Sequence, residues 1–377
     1  MNFKFDVMSE GITHDKTKNL RIVIVSDSAP QRNGVGSYYY DLSQHLKEYV
    51  KSIDILSPQI IEGQWHGGVP LPLPGDHTQR FLIPNFYTLR NQMKSLHPDV
   101  VIIPTPGFYG LTGARLGKSL GARVLVGFHT KFDTLTDMYW SRMTSHVSRQ
   151  YLTFTNRLLF YHADCVLVNS DSMKKNALSH GAKSVILVGT PLPYDFIHKP
   201  VAPLSQDIKI VFFAGRLAAE KNISALIESA KKLPNLTFNF AGDGPEKSKV
   251  ENAANTLPNV NYVGWLDRDQ LLTHIDKSDL VALPSHVESF GTIALEAMAR
   301  QRYTLVSENC GIAQWPELTH GFFLFKFENP LSHALERILS MPPDERLTIA
   351  QKGRKLALAL NRWNCEHWLT LFNPETC

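Results

Sequence analysis

The chain has 377 residues, 43% of them hydrophobic and 20% charged, with a formal net charge of +4. That is enough chain for two domains with a core each, and the balance is globular rather than disordered. No apolar run approaches the roughly 20 residues of a membrane-spanning helix, and the first residues, MNFKFDVMSEGITHDKTKNL, lack the apolar stretch of a secretory signal.

In chain order, the first expected strand is RIVIVSD (21–27). After it Asn33-Gly34-Val35-Gly36 opens a helix whose amides could meet a phosphate, although this is not a G-x-G-x-x-G fingerprint. Further strands are VVIIPT (100–105), RVLVGFH (123–129), CVLVNS (165–170) and SVILVG (184–189). Near-continuous apolar strands alternating with helical patterns are the mark of parallel sheets covered on both faces, hence α/β class. Between them, residues 138–162 place Trp140, Met143, Val147, Tyr151, Phe154 and Leu158 on one helix face, punctuated by Arg142, Arg149 and Arg157. That face serves either a membrane surface or an ordinary core. Residues 191–206, PLPYDFIHKPVAPLSQ, are rich in proline and read as a linker.

The second half continues with IKIVFFAGR (208–216), LTFNFAGDG (236–244), NVNYVG (259–264) and LVALPS (280–285). Two doubly wound parallel-sheet domains are therefore expected, over 1–192 and 207–360. A helical tail, 361–377, follows around Arg362, Trp363 and Trp368. In open parallel sheets ligands bind beyond the carboxyl ends of the strands, so two facing sets of strand ends would form a cleft for two substrates.

Strand ends in the second half carry the chemistry. LVALPS runs into HVESFGTIALEAMA, where Glu288 leaves the strand, Ser289-Phe290-Gly291-Thr292 turns, and a helix begins. Its amides favour a phosphate, Gly291 allows close approach, and Glu296 lies far enough into the helix to meet a hydroxyl. Taken alone, Glu288 reads equally well as a helix cap and Glu296 as a surface residue. IKIVFFAGR ends at Gly215-Arg216, with Lys221 five residues on, and two such cations can converge on a diphosphate. AGDGPE (241–246) supplies a tight turn at the same sheet edge.

Together, GRLAAEKN, AGDGPE and ALPSHVESFGTIALEAMA resemble the donor-binding domain of retaining GT-B glycosyltransferases of the family-4 type. The spacing of Glu288 and Glu296 matches that family's E-x7-E. The resemblance implies a GT-B fold of two Rossmann-like domains and a nucleotide-diphosphate sugar as donor, UDP by default. It implies that Arg216 and Lys221 hold the diphosphate and Glu296 the ribose hydroxyls. Glu288, with the amides of Phe290 and Gly291, would hold the sugar and distal phosphate, and Asn261 to Gly264 would lie near the base. Gly34 and Gly36 resemble the family's glycine-rich loop, His129 its histidine near the reacting carbon, and Ser170 its strand-end serine. Gly215, Gly242, Gly264, Ser289 and Thr292 complete the expected donor site. One departure is ARQRYTLVSENCGI after Glu296, where Cys310-Gly311 replaces the usual Gly-Gly. It bears on the loop beside the donor sugar.

The acceptor is less sharply marked. FHTKFDTLTDMYW (128–140) and VPLPLPGDHTQRFLIP (69–84) resemble the glycolipid-forming branch. The first 200 residues carry 21 Lys+Arg against 15 Asp+Glu, and the remainder 18 against 20. A basic first half suits an anionic lipid surface or a solvated mixed one. A membrane glycolipid precursor is the expected acceptor. A soluble sugar or polysaccharide is the alternative, and an epimerase or hydrolase of the same fold a further one. The four cysteines, Cys165, Cys310, Cys365 and Cys377, form no C-x-x-C pair, which suits a reduced cytoplasm, at the inner face of the membrane if the lipid reading holds. There is no Asp-x-Asp motif and no metal-ligand spacing, so neither a metal nor a cofactor is expected. Basic residues form no run that would mark nucleic-acid binding. Oligomeric state is not legible.

Overall fold

The computed structural model describes residues 17–30, 34–61, 64–73, 76–129 and 142–376, with side chains at 72–81 and 142–149 left out. Asn33, the stretch from Thr130 to Trp140 and the N-terminal residues discussed above lie outside the described residues, as do the side chains of Met143 and Val147.

The elements are β1 (Arg21–Val25), α1 (Gly34–Leu46), β2 (Ser52–Leu56), β3 (Gln59–Ile61), β4 (Gln64–His66), β5 (Gly68–Leu73), β6 (Asp76–Pro84) and α2 (Phe86–Leu96). They continue with β7 (Val100–Ile103), α3 (Phe108–Ser119), β8 (Arg123–Gly127), α4 (Arg142–His162), β9 (Cys165–Val168), α5 (Asp171–Ser179), β10 (Val185–Leu187) and α6 (Tyr194–His198). Then come β11 (Ile210–Ala214), α7 (Ile223–Lys232), β12 (Thr237–Ala241), α8 (Lys247–Thr256), β13 (Val260–Gly264), α9 (Arg268–Lys277), β14 (Leu280–Leu283) and α10 (Thr292–Ala299). The last are β15 (Tyr303–Ser307), β16 (Phe323–Phe325), α11 (Leu331–Ser340) and α12 (Pro343–Leu371).

Among the described residues there are two six-stranded sheets, ordered β10-β9-β8-β7-β1-β2 and β13-β12-β11-β14-β15-β16, and every pairing within them is parallel. Strand order reverses at β1/β7 in one sheet and at β11/β14 in the other. Those are the switch points where a doubly wound sheet opens a crevice. The short antiparallel hairpins β3–β4 and β5–β6 interrupt the first winding.

The chain divides into two compact units, one ending at Pro191 and taken up again at Asn361, the other running from Leu192 to Leu360. The edges at 191/192 and 360/361 fall within a residue of those expected, and what differs is where the flanking segments 192–206 and 361–377 belong. Residues 192–206 are not a free linker, because two fully buried arginines hold their carbonyls. Arg300 donates to the carbonyls of Phe196, Lys199 and Pro200, and Arg302 to those of Ala202 and Pro203. Arg300 is itself paired with Asp276 at 2.6 Å. The departure ARQRYTLVSENCGI thus begins as a clamp on the preceding chain, since a planar five-donor guanidinium can satisfy several carbonyls at once.

Residues 361–377 do not stand apart as a tail. Trp368, Leu369, Leu371 and Phe372 pack with Ile22, Ile24, Tyr39 and Leu42 in a core of the first unit. The Tyr38 hydroxyl donates to the Gly189 carbonyl at 2.7 Å and lies 3.2 Å from Nε1 of Trp368.

Candidate functional site

The second unit's switch point is built from β11 and β14. β11 is followed directly by Gly215, whose φ of +156° lies in the range where glycine is favoured. Beyond it the chain passes Arg216 and a single 3-10 turn, Ala219–Lys221, before α7. β14 leads into Pro284 and Ser285, and Glu288 follows. The two connections are tied together, because the His286 amide donates to the Glu220 carbonyl at 2.8 Å. That tie brings the Lys221 ammonium onto Oε2 of Glu288 in a short ion pair, with each side chain 17% exposed. Burial disfavours the ammonium, but Glu288 more than offsets this, and the Lys221 pKa is held above its usual value. Arg216 lies 3.5 Å from Glu220, a carboxylate that is itself almost fully buried.

Next to these charges, Gly291 caps α10 at φ +107°. The first amides of the helix, at Thr292 and Ile293, lie ahead of its hydrogen-bond ladder, which starts with the Ala294 amide on the Gly291 carbonyl at 3.0 Å. Phe290 buries its ring against Trp315, so only its backbone is available to a ligand. Gly311 is required here, since a Cβ would lie 1.8 Å from the Ser289 carbonyl oxygen. Cys310 pairs with Glu288 as an isolated parallel bridge, and burial pushes its thiol pKa up to about 12. It is therefore a neutral wall and not a nucleophile.

The strand-end glycines form the floor of the same edge. The Gly215 amide donates to Ala241, and the Gly242 amide to the Gly264 carbonyl at 2.8 Å. A Cβ on Gly242 would lie 1.8 Å from the Gly215 carbonyl oxygen.

Glu296 is not a surface residue. It is 2% exposed, and its Oε1 accepts from Arg268 at 2.6 Å. Burial raises its pKa, with Arg268 opposing the shift. Neither Arg268 nor Glu220 carries a role in the motifs above, although the capping box of Asp267 and Gln270 marks a helix start directly after β13.

Gly34, Gly36 and His129 belong to the first unit. Gly34 is the first residue of α1 and Gly36 is buried. His129 is 6% exposed, its Nε2 lies 2.8 Å from the Tyr39 hydroxyl, and its ring lies 4.7 Å from that of Tyr38. Burial lowers its pKa to about 3, so it is a neutral imidazole at physiological pH. Ser170 is the N-cap residue of α5, in keeping with an architectural role.

At this unit's switch point Asp27 closes the crevice. Its buried carboxylate accepts from the Thr105 hydroxyl at 2.6 Å and from the amides of Gly107, Tyr109 and Gly110 at 3.0, 2.8 and 3.2 Å. It sits at the α3 N-terminus, where an anion is favoured.

α4 turns Leu152, Thr155, Asn156, Leu159 and Phe160 inward and leaves Tyr151, Phe154, Leu158 and Tyr161 exposed. Of the face expected from the sequence, the described members Tyr151, Phe154 and Leu158 are thus outside the core. Among the described residues no helix is long and apolar enough to cross a membrane.

Residues 196–356 match the family model described as glycosyl transferases group 1, and residues 32–190 match that of glycosyltransferase family 4. A GDP-mannose-dependent alpha-(1-6)-phosphatidylinositol dimannoside mannosyltransferase of Mycobacterium tuberculosis is 22% identical over 77% of this chain and 79% of its own length. The sulfoquinovosyl transferase SQD2 of Arabidopsis thaliana is 22% identical over 70% of this chain and 56% of its own. The chain spans about half the length of the first curated relatives it matches. Among solved structures, sucrose-phosphate synthase of Thermosynechococcus elongatus aligns with a TM-score of 0.68 at 19% identity, covering 93% of this chain and 98% of its own. Anabaena Alr3699/HepE, in complex with UDP and glucose, gives 0.68 at 16% identity, over 94% and 99%. At such identities the structures establish the fold, which is GT-B.

Proposed function

We propose, from the premise that the chain belongs to the family-4 type of glycosyltransferase (glycosyl transferases group 1), that it moves a hexose from a UDP-sugar to a membrane glycolipid precursor with retention at the anomeric carbon. The observation that carries the donor half is the convergence of Arg216, Lys221, Glu288 and the α10 N-terminus at one switch point. Two cations and a row of amides suit a diphosphate, and a carboxylate beside them suits sugar hydroxyls.

In this reading the bond from the anomeric carbon to the β-phosphate oxygen breaks, and its electron pair leaves with the diphosphate. The acceptor oxygen bonds to that carbon from the same face and gives its proton to the departing phosphate. Arg216 and Lys221 offset the charge that develops there. Lys221 must exchange Glu288 for phosphate, which frees Glu288 for the sugar. His129, neutral and bonded to Tyr39, acts as a hydrogen-bonding group and not as a proton store. Neither a metal nor a cofactor is required, and loss of turnover in EDTA with recovery in Mn²⁺ would overturn that.

For the donor, UDP is supported by a solved neighbour that holds it. For the acceptor, support comes from exposed Tyr151, Phe154, Leu158 and Tyr161, beside exposed Arg157, on one helix of a basic half. The protein would then work at the cytoplasmic face of a membrane. A thermal-shift panel of UDP-, GDP- and ADP-sugars tests the donor, with a shift for UDP-sugars expected and none for the others. Anomeric NMR of the product tests retention. Co-sedimentation with anionic vesicles tests the surface, and activity on a soluble sugar without vesicle binding would overturn the lipid acceptor.

A further inference from the structure

We infer that Arg268 is a positioning residue for the nucleotide ribose, acting by clamping one oxygen of Glu296 so that the other faces the ribose diol. The inference rests on the proposed donor reading and names a residue that reading did not contain.

The geometry is one-sided. Glu296 lies in α10 among Ala294, Leu295, Ala297 and Met298, all of them buried. A carboxylate in such company is costly to ionise unless it is paired. Its Oε1 takes a 2.6 Å bond from Arg268, while Oε2 has no side-chain partner among the described residues and is not sealed from solvent. A buried structural ion pair normally satisfies both oxygens. An ionised carboxylate with one oxygen left over is an acceptor awaiting donors, and it repels phosphate. The ligand chemistry that fits is a neutral diol.

Arg268 is placed for this by its own element. It is the first residue of α9, fixed by the Asp267–Gln270 capping box at the carboxyl end of β13. β13 ends at Gly264, which lies beside Gly242 and Gly215 on the strand-end floor. The clamp therefore enters from the edge of the site opposite the Lys221–Glu288 pair in strand order: β13 on one flank, β14 on the other, with β12 and β11 between them. That span separates ribose from diphosphate in the order a nucleotide requires. An arginine suits the role better than a lysine because its planar fork fixes the orientation of the carboxylate as well as its charge.

The test measures binding of UDP, GDP and ADP, each against its 2′,3′-dideoxy counterpart, by calorimetry. The proteins compared are the parent, Glu296→Gln, Arg268→Met and Arg268→Lys. The readout is the ribose-to-dideoxyribose affinity ratio for the base that binds best, which does not depend on the fraction of protein folded. The parent is expected to prefer ribose tenfold or more. Glu296→Gln and Arg268→Met are expected to reduce that ratio at least fivefold, and Arg268→Lys to recover part of it. Should Arg268→Met keep the parental ratio while Glu296→Gln loses it, the clamp is wrong and the donor reading stands. Should Glu296→Gln keep it as well, or the parent show no preference, the ribose assignment of Glu296 fails and the inference with it. If Arg268→Met does not fold, Arg268→Lys decides: an unchanged ratio together with a lowered Tm overturns the positioning role.

Discussion

The two sheets carry the same winding, yet their switch points are finished differently. At β11/β14 the groups nearest the crevice are charged, with Lys221, Glu288 and Arg216 partly exposed and Glu220 buried behind Arg216. At β1/β7 the corresponding space is filled by the protein itself, because Asp27 takes four donors from Thr105 and the start of α3. A helix N-terminus attracts an anion in either case. Whether the anion is the chain's own carboxylate or is left to a ligand separates a structural switch point from a binding one. The first unit's remaining distinctive groups are neutral His129 and the exposed apolar side chains of α4.

This contrast can be broken in several ways. Arg216→Ala and Lys221→Ala should each lower kcat by about 10²–10³-fold, the usual cost of removing one preorganised stabiliser of developing charge. Asp27→Asn should leave kcat within a few-fold and instead reduce stability by about 1.5–3 kcal/mol, read by urea unfolding. The reverse pattern would show that the first switch point is the catalytic one. Gly242→Ala should cost about 1–3 kcal/mol of stability through overpacking alone, because its Cβ would meet the Gly215 carbonyl at 1.8 Å. Gly264→Ala meets no atom within 4 Å and bears only the strain of φ +79°, so it should cost less in the same melt.

A smaller effect should come from His129. Its folded pKa of about 3 lies below the unfolded value of about 6.5. The unfolded chain therefore binds the proton first as pH falls. The contribution to stability is fully present above pH ~6.5 and is lost progressively toward pH ~3, on the order of 1–2 kcal/mol by pH 5. His129→Phe should flatten that slope in denaturant midpoints taken at pH 7 and pH 5. The smallest expected change is in vesicle binding, where Phe154→Ser and Tyr161→Ser should each weaken sedimentation roughly three- to tenfold by removing apolar area while leaving donor affinity unchanged.

Much of the fold was legible because parallel strands buried on both faces leave continuous apolar runs, and all nine runs quoted became strands of the two sheets. The hairpins over 59–84 were not, since Pro70 and Pro72 within β5 argue against a strand and short edge pairs leave little pattern. Glu288 and Lys221 could be named from spacing, but their contact depends on the Glu220–His286 tie between two distant loops. Arg300 and Arg302 looked like a change beside the donor sugar, because a sequence does not say which carbonyls a guanidinium will reach. On α4 two apolar faces lie one residue apart, and periodicity alone could not say which was buried.

The packing of Trp368, Leu369, Leu371 and Phe372 against Ile22 and Ile24 has a consequence for how the protein comes into being. A chain leaves the ribosome from its N-terminus, and domains generally fold as they emerge. Here the unit made first lacks part of its core until residues 368–372 have been synthesised, eight residues past the end of 192–360. The unit that is second in sequence does not draw on residues 368–372, so the dependence runs one way. The sheet bearing β1 must wait with Ile22, Ile24 and Leu42 uncovered on one face. Released chains truncated after residue 360 should resist protease over 192–360 and yield over the earlier residues.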